Sequence, residues 1–516
     1  MPDQTKVDLG LKEVLLRSHE IREIIHTSPL VVTALYRLLL TILHRNFGPA
    51  TVNDWKNLWR RGKWDRRPLE DYFFKWHEHF DLFHPERPFY QVPPMADAKT
   101  HPVQILAIEA ASGNNPTLFD HNYSNQPQTF SPSQAACYVI ARQSFSIGFG
   151  KSKPFYFQDS SLIRGYSVFI MGKNLWETLA LNLQIYNSER PIPQLNEDLP
   201  LWEQDPLPEP NKNGTPIQGY LHYLTWPSRR IHLFPSGNPP VVQFCQIQQY
   251  LKLPDPQPLD PFKCYRKDEK EGWTPIGLRP EKALWRDSHT LFQEADQSSS
   301  RPEILNWIAR IERLQRFGEI KAHKSYQFNI TGIATERKAA NVILWRQERL
   351  PLPLAYLEEK GLLDKLKQAI TLAEEVERVL LNCIWRIAKL ILSPDSENPG
   401  GRTPDPNEVR RLQQSLRPRL LYWSKLDNPF RKFLVDLAED WQEDEDGDLI
   451  YGQQTLPDWA RTLRQAANHA FQETTRGFER SVRTLKAIAK VEAQFWLGLE
   501  TLFKPYKKEV TNEPTV

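Results

Sequence analysis

The chain has 516 residues and a mass of 60.4 kDa, more than one hydrophobic core usually fills, so at least two domains are expected. Apolar residues make up 40% and charged residues 25%, which excludes a chain disordered along its whole length. With 66 basic against 63 acidic residues the net charge is only +3, so the placement of charge carries the information and its total does not.

Residues 10 to 47 read as helix, with Leu15, Ile21, Ile24, Ile25, Leu30, Ala34, Leu38, Leu39 and Ile42 at three- and four-residue spacing. The apolar run from Pro29 to Leu43 is interrupted by Arg37 and is shorter than the roughly 20 residues of a membrane span. No basic-then-apolar leader precedes it, so neither membrane insertion nor export is expected. Next come Lys56, Arg60, Arg61, Lys63, Arg66 and Arg67, interleaved with Trp55, Trp59 and Trp64, and then an aromatic helix over Leu69 to Phe83. His77 and His79 lie two apart on that helix and face different directions, so a packed aromatic helix is preferred to a metal site.

Phe145 to Ser152 is the one phosphate-loop candidate. A Walker loop needs glycine where Phe145 stands, so nucleotide hydrolysis is not expected there. Gly148, Phe149, Gly150 and Lys151 suit a loop that approaches a nucleic-acid backbone, because glycine permits close approach and lysine supplies charge; a plain surface turn is the alternative. From Arg190 to Pro261 the chain holds 15 of its 42 prolines, which predicts short strands and turns, among them Gly219 to Leu224 and Val241 to Phe244.

The last third is helical. A long amphipathic helix is predicted over Leu362 to Leu392, followed by helices at roughly 405–420, 427–444, 457–474 and 476–503. The expected fold class is α+β: an irregular mixed α/β N-terminal domain over 1–355, then a C-terminal antiparallel four-helix bundle over 356–516. Seven carboxylates between Glu439 and Asp448 read as a solvated helix end, since an EF-hand alignment would put Gln442 and Gln453 where carboxylates are needed. On the final helix Arg476, Arg480, Arg483, Lys486 and Lys490 share one face over about 21 Å, with Phe478, Val482, Leu485 and Ala489 opposite. Such a stripe suits a phosphate backbone, or is a solvated face.

Cys137, Cys245, Cys264 and Cys383 are far apart with no Cys-x-x-Cys pair, as in a reduced, cytoplasmic protein. No Ser-His-Asp or Cys-His set and no Gly-x-Ser-x-Gly elbow stands out, so no catalytic residue, metal or cofactor is assigned. A polyanion-binding protein is the leading reading. A metal- or nucleotide-dependent nuclease and a Trp-rich interaction scaffold are the alternatives.

Several segments in order resemble one family, the large (CasA-type) subunit of the type I-E CRISPR surveillance complex, Cascade. They are Phe80 to Gln91, with its Pro88-Phe89-Tyr90-Gln91 ending; Asn115 to His121; Gly148 to Gly150; Thr331 to Thr335 followed by Trp345-Arg346; Leu420 to Trp423; and Leu485 to Ala487. The resemblance implies a non-catalytic subunit that binds the guide RNA through Phe119, Asp120 and His121. Its glycine loop at the protospacer-adjacent motif (PAM) maps to Gly148, Phe149, Gly150 and Lys151. The family splits the duplex with a Gln five residues after the glycine equivalent to Gly332; here that position is Arg337, with Lys338 and Asn341 as further candidates. Of the zinc-binding cysteines of some members only Cys245 and Cys264 remain, and Lys252 is the nearest cation to their lysine finger. The Trp-Ile-Pro-Val-like opening strand of the family has no counterpart before Val7. Implied partners are guide RNA, double-stranded target DNA, the backbone, small and handle-capping subunits, and a nuclease-helicase recruited after R-loop formation.

Overall fold

The protein is represented by a computed structural model that describes residues 5–109, 128–148, 159–293, 298–316, 318, 326–335 and 342–506. The chain divides into two compact units, Met1–Leu350 and Pro351–Val516. The first is mixed helix and sheet and the second is mainly helical, which is the α+β class expected.

In the first unit the predicted helix over 10–47 is two helices, Leu11–Leu16 and Pro29–Phe47. The break has a tertiary cause. The carbonyls of Ser18 and Ile21 accept the N–H groups of Trp176 and Leu175, so this stretch caps the helix Leu175–Asn182 instead of continuing its own. Pro29 then opens the second helix, as proline favours. Pro29–Phe47 is long and apolar enough by composition to cross a membrane, but most of it lies inside the unit as its central helix. Arg37 is 1% exposed there, and its Nη1 donates to Asp260 Oδ2 at 2.7 Å. Burial alone would raise the Asp260 carboxyl; the charges of Arg37 and Lys263 outweigh it and hold the group below its ordinary value.

Three three-stranded sheets accompany this helix. Thr100–Pro102, Val241–Gln249 and Arg229–Ser236 form the first, with Val241–Gln249 in the middle. Tyr166–Met171, Tyr326–Thr335 and Val342–Leu352 form the second, with Tyr326–Thr335 in the middle. Every residue of Tyr166–Met171 is buried, and Gly332 pairs with Tyr166 so closely that a Cβ would come within 3.0 Å of the tyrosine Cβ. The third sheet joins Gly272–Pro275, Tyr265–Asp268 and Ser299–Ser300.

Trp55, Trp59 and Trp64 point inward, not to solvent. Trp55 stacks on Trp59, meets Trp307 edge-on, and donates its indole N–H to the Ala180 carbonyl at 2.8 Å. The predicted strand at 219–224 is instead a short helix, Tyr220–Leu224. The Asp198 carboxylate, 23 and 24 residues earlier in the chain, accepts the N–H groups of Leu221 and His222 and so caps it. A Cβ at Gly219 would fall 2.4 Å from that carboxylate, so only glycine admits it.

In the second unit Lys360–Leu392 is one 33-residue helix, buried at Leu366, Ile370, Ala373, Val376, Leu380, Ile384 and Ile387, as the periodicity required. Asp427–Glu439, Thr455–Arg476 and Val482–Phe503 pack with it, alongside the shorter Pro406–Ser415 and Pro418–Trp423. The acidic run is not a helix end but an exposed hairpin, Trp441–Glu443 with Leu449–Tyr451. Asp444 turns it by accepting the N–H groups of Asp446 and Asp448, and Gly447 supplies a φ of 83°.

His44 and His222 are buried in the first unit, and burial pushes their pKa down to about 3 and about 4 from 6.5. Below about 6.5 the unfolded chain therefore takes up protons that the folded chain refuses. Stability should fall as pH drops from about 6.5 towards about 4, at up to about 1.4 kcal/mol per pH unit for each histidine. His44→Phe should flatten this acid limb in denaturant unfolding over a pH series; an unaltered slope would refute the assignment.

Candidate nucleic-acid interface

Three segments singled out in the sequence fall wholly or mostly outside the described residues: Phe119, Asp120 and His121; Phe149, Gly150 and Lys151; and Arg337, Lys338 and Asn341. Their stems are described, and they converge. Ile108 precedes the first segment, Phe145 and Ile147 lead into the second, Leu162 and Ile163 follow it, and Ile333 precedes the third. These six and Leu30, from the first turn of the central helix, make one buried apolar cluster against which Val342, just after the third segment, also packs. Burying each such side chain stabilises the stem by about 1.5–3 kcal/mol relative to leaving it exposed.

The glycine segment is the best defined. Ser131 and Gln134 form a reciprocal capping box that starts the helix Pro132–Ser144, and Phe145 ends it. The outgoing strand of the loop reaches Gly148, whose N–H donates to Asp159 Oδ1 at 2.8 Å. On the return, Ser160 N–H donates to the Ser146 carbonyl at 2.8 Å, Ser146 N–H to Ser160 Oγ at 3.0 Å, and Leu162 N–H to the Ser144 carbonyl at 2.9 Å. Ser160 Oγ continues to Ser228 Oγ, and Ser228 Oγ donates to the Gln143 carbonyl. Gly148 and Asp159 are therefore held together above a buried ladder, which offsets the entropy cost of bringing these two points of the chain together.

Two arginines that sequence reasoning missed lie beneath this base. Arg229 donates Nη2 to the Ile147 carbonyl at 3.0 Å and Nη1 to the Ser228 carbonyl at 2.8 Å. Burial pushes its pKa down to about 9, and the charge of Arg142 acts in the same direction; burial brings Arg142 down to about 10. Both stay charged at neutral pH, so two cations held in a low-dielectric setting project positive potential at the foot of the loop. The available signal was a lone Arg142 inside an otherwise uncharged helix.

The predicted cationic stripe needs correction. Thr455–Arg476 ends at Gly477, and a new helix begins at Val482 with Ser481 as its cap, so Arg476 and Arg480 are not on the last helix. Its buried face is Thr484, Ala487, Val491, Phe495, Leu499 and Phe503, while Val482 (70% exposed), Leu485 (63%) and Ala489 face out. Both apolar stripes have helical spacing. The one continuing into Phe495, Leu499 and Phe503 has more area to bury and wins. Arg476 pairs with Glu473 at 2.6 Å, and Lys490 pairs with Glu397 at 2.8 Å. The hydrogen bond from Arg386, with Lys490 beside it, holds the Glu397 carboxyl at about 2. Arg483 reaches the Ile391 carbonyl at 3.3 Å, and Arg480 and Lys486 are exposed with no ion pair among the described residues.

Cys245 and Cys264 are buried free thiols, and Lys252 donates to the Lys212 carbonyl at 3.2 Å. Among the described residues no group of three or more His, Cys, Asp or Glu side chains is arranged to hold a metal ion.

The family model for CRISPR-associated protein Cse1 matches residues 1–470. The chain is 31% identical over 504 residues to the CRISPR-associated protein CasA/Cse1 of Thermus thermophilus, covering 95% of this chain and 93% of that protein. It superposes on a crystal structure of Thermus thermophilus CasA with a TM-score of 0.78 at 28% identity, covering 96% of each chain. A chain of a structure described as a CRISPR RNA-guided surveillance complex shares the fold, with a TM-score of 0.71, 22% identity and 95% of each chain covered.

If the apolar cluster pins the loop stems, Leu162→Ala should cost about 2–5 kcal/mol in denaturant unfolding. It should also speed hydrogen exchange at the Gly148 and Ser160 amides. Unchanged exchange at those two amides would separate the cluster from the loop.

Proposed function

We propose, from the premise that this chain belongs to the CRISPR-associated Cse1 family, that it is the non-catalytic large subunit of a type I-E RNA-guided surveillance complex. In this reading it holds the guide RNA through Phe119, Asp120 and His121. It inspects the PAM with the glycine loop at Gly148, Phe149, Gly150 and Lys151, and it helps open the duplex with Arg337, near Lys338 and Asn341. The observation that carries the reading is the common apolar anchor of the three loop stems. A protein that must hold RNA, a short DNA motif and a duplex fork at one place needs loops with a shared rigid base, because base pairing by the guide reads the rest of the sequence.

Phosphate attraction supports the same assignment. Arg142 and Arg229 lie under the glycine loop, where the backbone can approach a phosphate closely. In the second unit Arg480, Arg483 and Lys486 are the stripe members without a carboxylate partner among the described residues, and they are the ones assigned to DNA backbone contact, whereas Arg476 and Lys490 are committed to Glu473 and Glu397. Other surveillance-complex subunits, target DNA and a recruited nuclease-helicase are the corresponding partners.

Two measurements test this. Within the assembled complex, Arg337→Ala should leave guide-RNA incorporation intact and slow R-loop formation on PAM-bearing duplex on the order of tenfold, the worth of one stacked base; opening at the normal rate would move the wedge elsewhere. Neutralising Arg480, Arg483 and Lys486 to Gln together should flatten the log-log salt dependence of DNA binding by about 2–3, at roughly 0.9 per phosphate contact, while Arg476→Gln leaves it nearly unchanged. An unaltered slope in the triple variant would make that surface a solvated face.

A further inference from the structure

A cavity of about 440 Å³ lies in the first unit, and no residue of the apolar stem cluster lines it. Its size falls within the range that holds small organic ligands. Arg190, Lys263, Arg301 and Arg310 line it, together with Gln184 and Trp307. The lining carboxylates are Asp260 and Glu303. Asp260 takes Arg37 Nη1 at 2.7 Å and Tyr223 Oη at 3.1 Å on one oxygen and the Phe262 N–H at 2.9 Å on the other. Glu303 accepts from Asn306 Nδ2 at 2.8 Å.

The cations are placed differently from one another. Arg301 is 6% exposed and fixed in the wall, with Nε donating to Asn306 Oδ1 at 2.6 Å and Nη1 to the Phe292 carbonyl at 3.0 Å. Lys263 is 3% exposed and donates to the carbonyls of Ser161 and Arg164. Burial pushes its amine down to about 8, Asp260 opposing, which leaves it mostly charged at neutral pH. Arg190 and Arg310 are exposed. Gln184 Nε2 and Trp307 Nε1 are buried donors with no acceptor among the described residues.

The wall carries four cations against two carboxylates, and the charge of Asp260 is already balanced by Arg37. A phosphate monoester, with three terminal oxygens and close to two negative charges, answers that excess better than a carboxylate with two oxygens and one charge. We propose that this cavity binds a terminal phosphate monoester, carried either by a free mononucleotide or by the 5′ end of an oligonucleotide. The proposal stands independently of the guide-RNA and PAM reading.

The test is calorimetric titration of the full chain with AMP, with adenosine, and with a short RNA oligonucleotide bearing or lacking a 5′ phosphate. The exposed pair is replaced in Arg190→Gln/Arg310→Gln. Saturable binding of AMP but not adenosine, weakened at least tenfold in the double variant, assigns the site to a free nucleotide. A 5′-phosphate-dependent gain in oligonucleotide affinity that disappears in the double variant, with AMP silent, assigns it to a nucleic-acid end. The proposal is overturned if no probe shows phosphate-dependent binding, or if the double variant, folded by circular dichroism, binds like the parent chain.

Discussion

Chain segments that expose charge and polar backbone cannot hold themselves in place by burying their own side chains. The first unit meets this constraint by anchoring the stems. Ile108, Phe145, Ile147, Leu162, Ile163 and Ile333, from stretches far apart in the chain, pack on Leu30 of the central helix. Water exclusion at this one point ties the bases of three separate segments to the same rigid element, and a shift in any stem is felt by the others because close-packed interiors do not deform continuously.

Charge burial is the second theme. Arg37 lies in the middle of the central helix, where its partner Asp260 also takes bonds from Tyr223 and Phe262. A buried pair of this kind contributes little net stability over an apolar substitute, yet it permits only one arrangement of the groups around it. Asp260 in turn forms part of the wall of the 440 Å³ cavity, where its charge is already balanced by the core arginine. Arg142 and Arg229 are the contrasting case. The carbonyl groups of Ser228 and Ile147 solvate the Arg229 guanidinium with partial charges, where Arg37 has a full carboxylate. The lowered pKa values of both arginines express the cost of keeping positive charge there.

In the second unit electrostatics and packing sort one set of cations into two groups. Glu473 and Glu397 bind Arg476 and Lys490, and the outward turn of Val482 and Leu485 sets an apolar strip beside Arg483 and Lys486. Exposed ion pairs are worth little in stability, but they do remove a cation from the reach of a phosphate.

Much was legible along the chain. The 33-residue helix Lys360–Leu392 and the mixed architecture follow from periodicity and proline content, which are local properties. The failures share one cause. The stretch between Leu16 and Pro29 surrendered its helix because Leu175 and Trp176 needed acceptors, Tyr220–Leu224 became a helix because Asp198 caps it, and the last helix chose between two equally spaced apolar stripes. The convergence of the loop stems and the placement of Arg229 near Arg142 below them were likewise invisible. Spacing states which side chains can share a face, while the partner that buries that face, or leaves it in water, comes from residues dozens to hundreds of positions away, and only the folded chain brings them together.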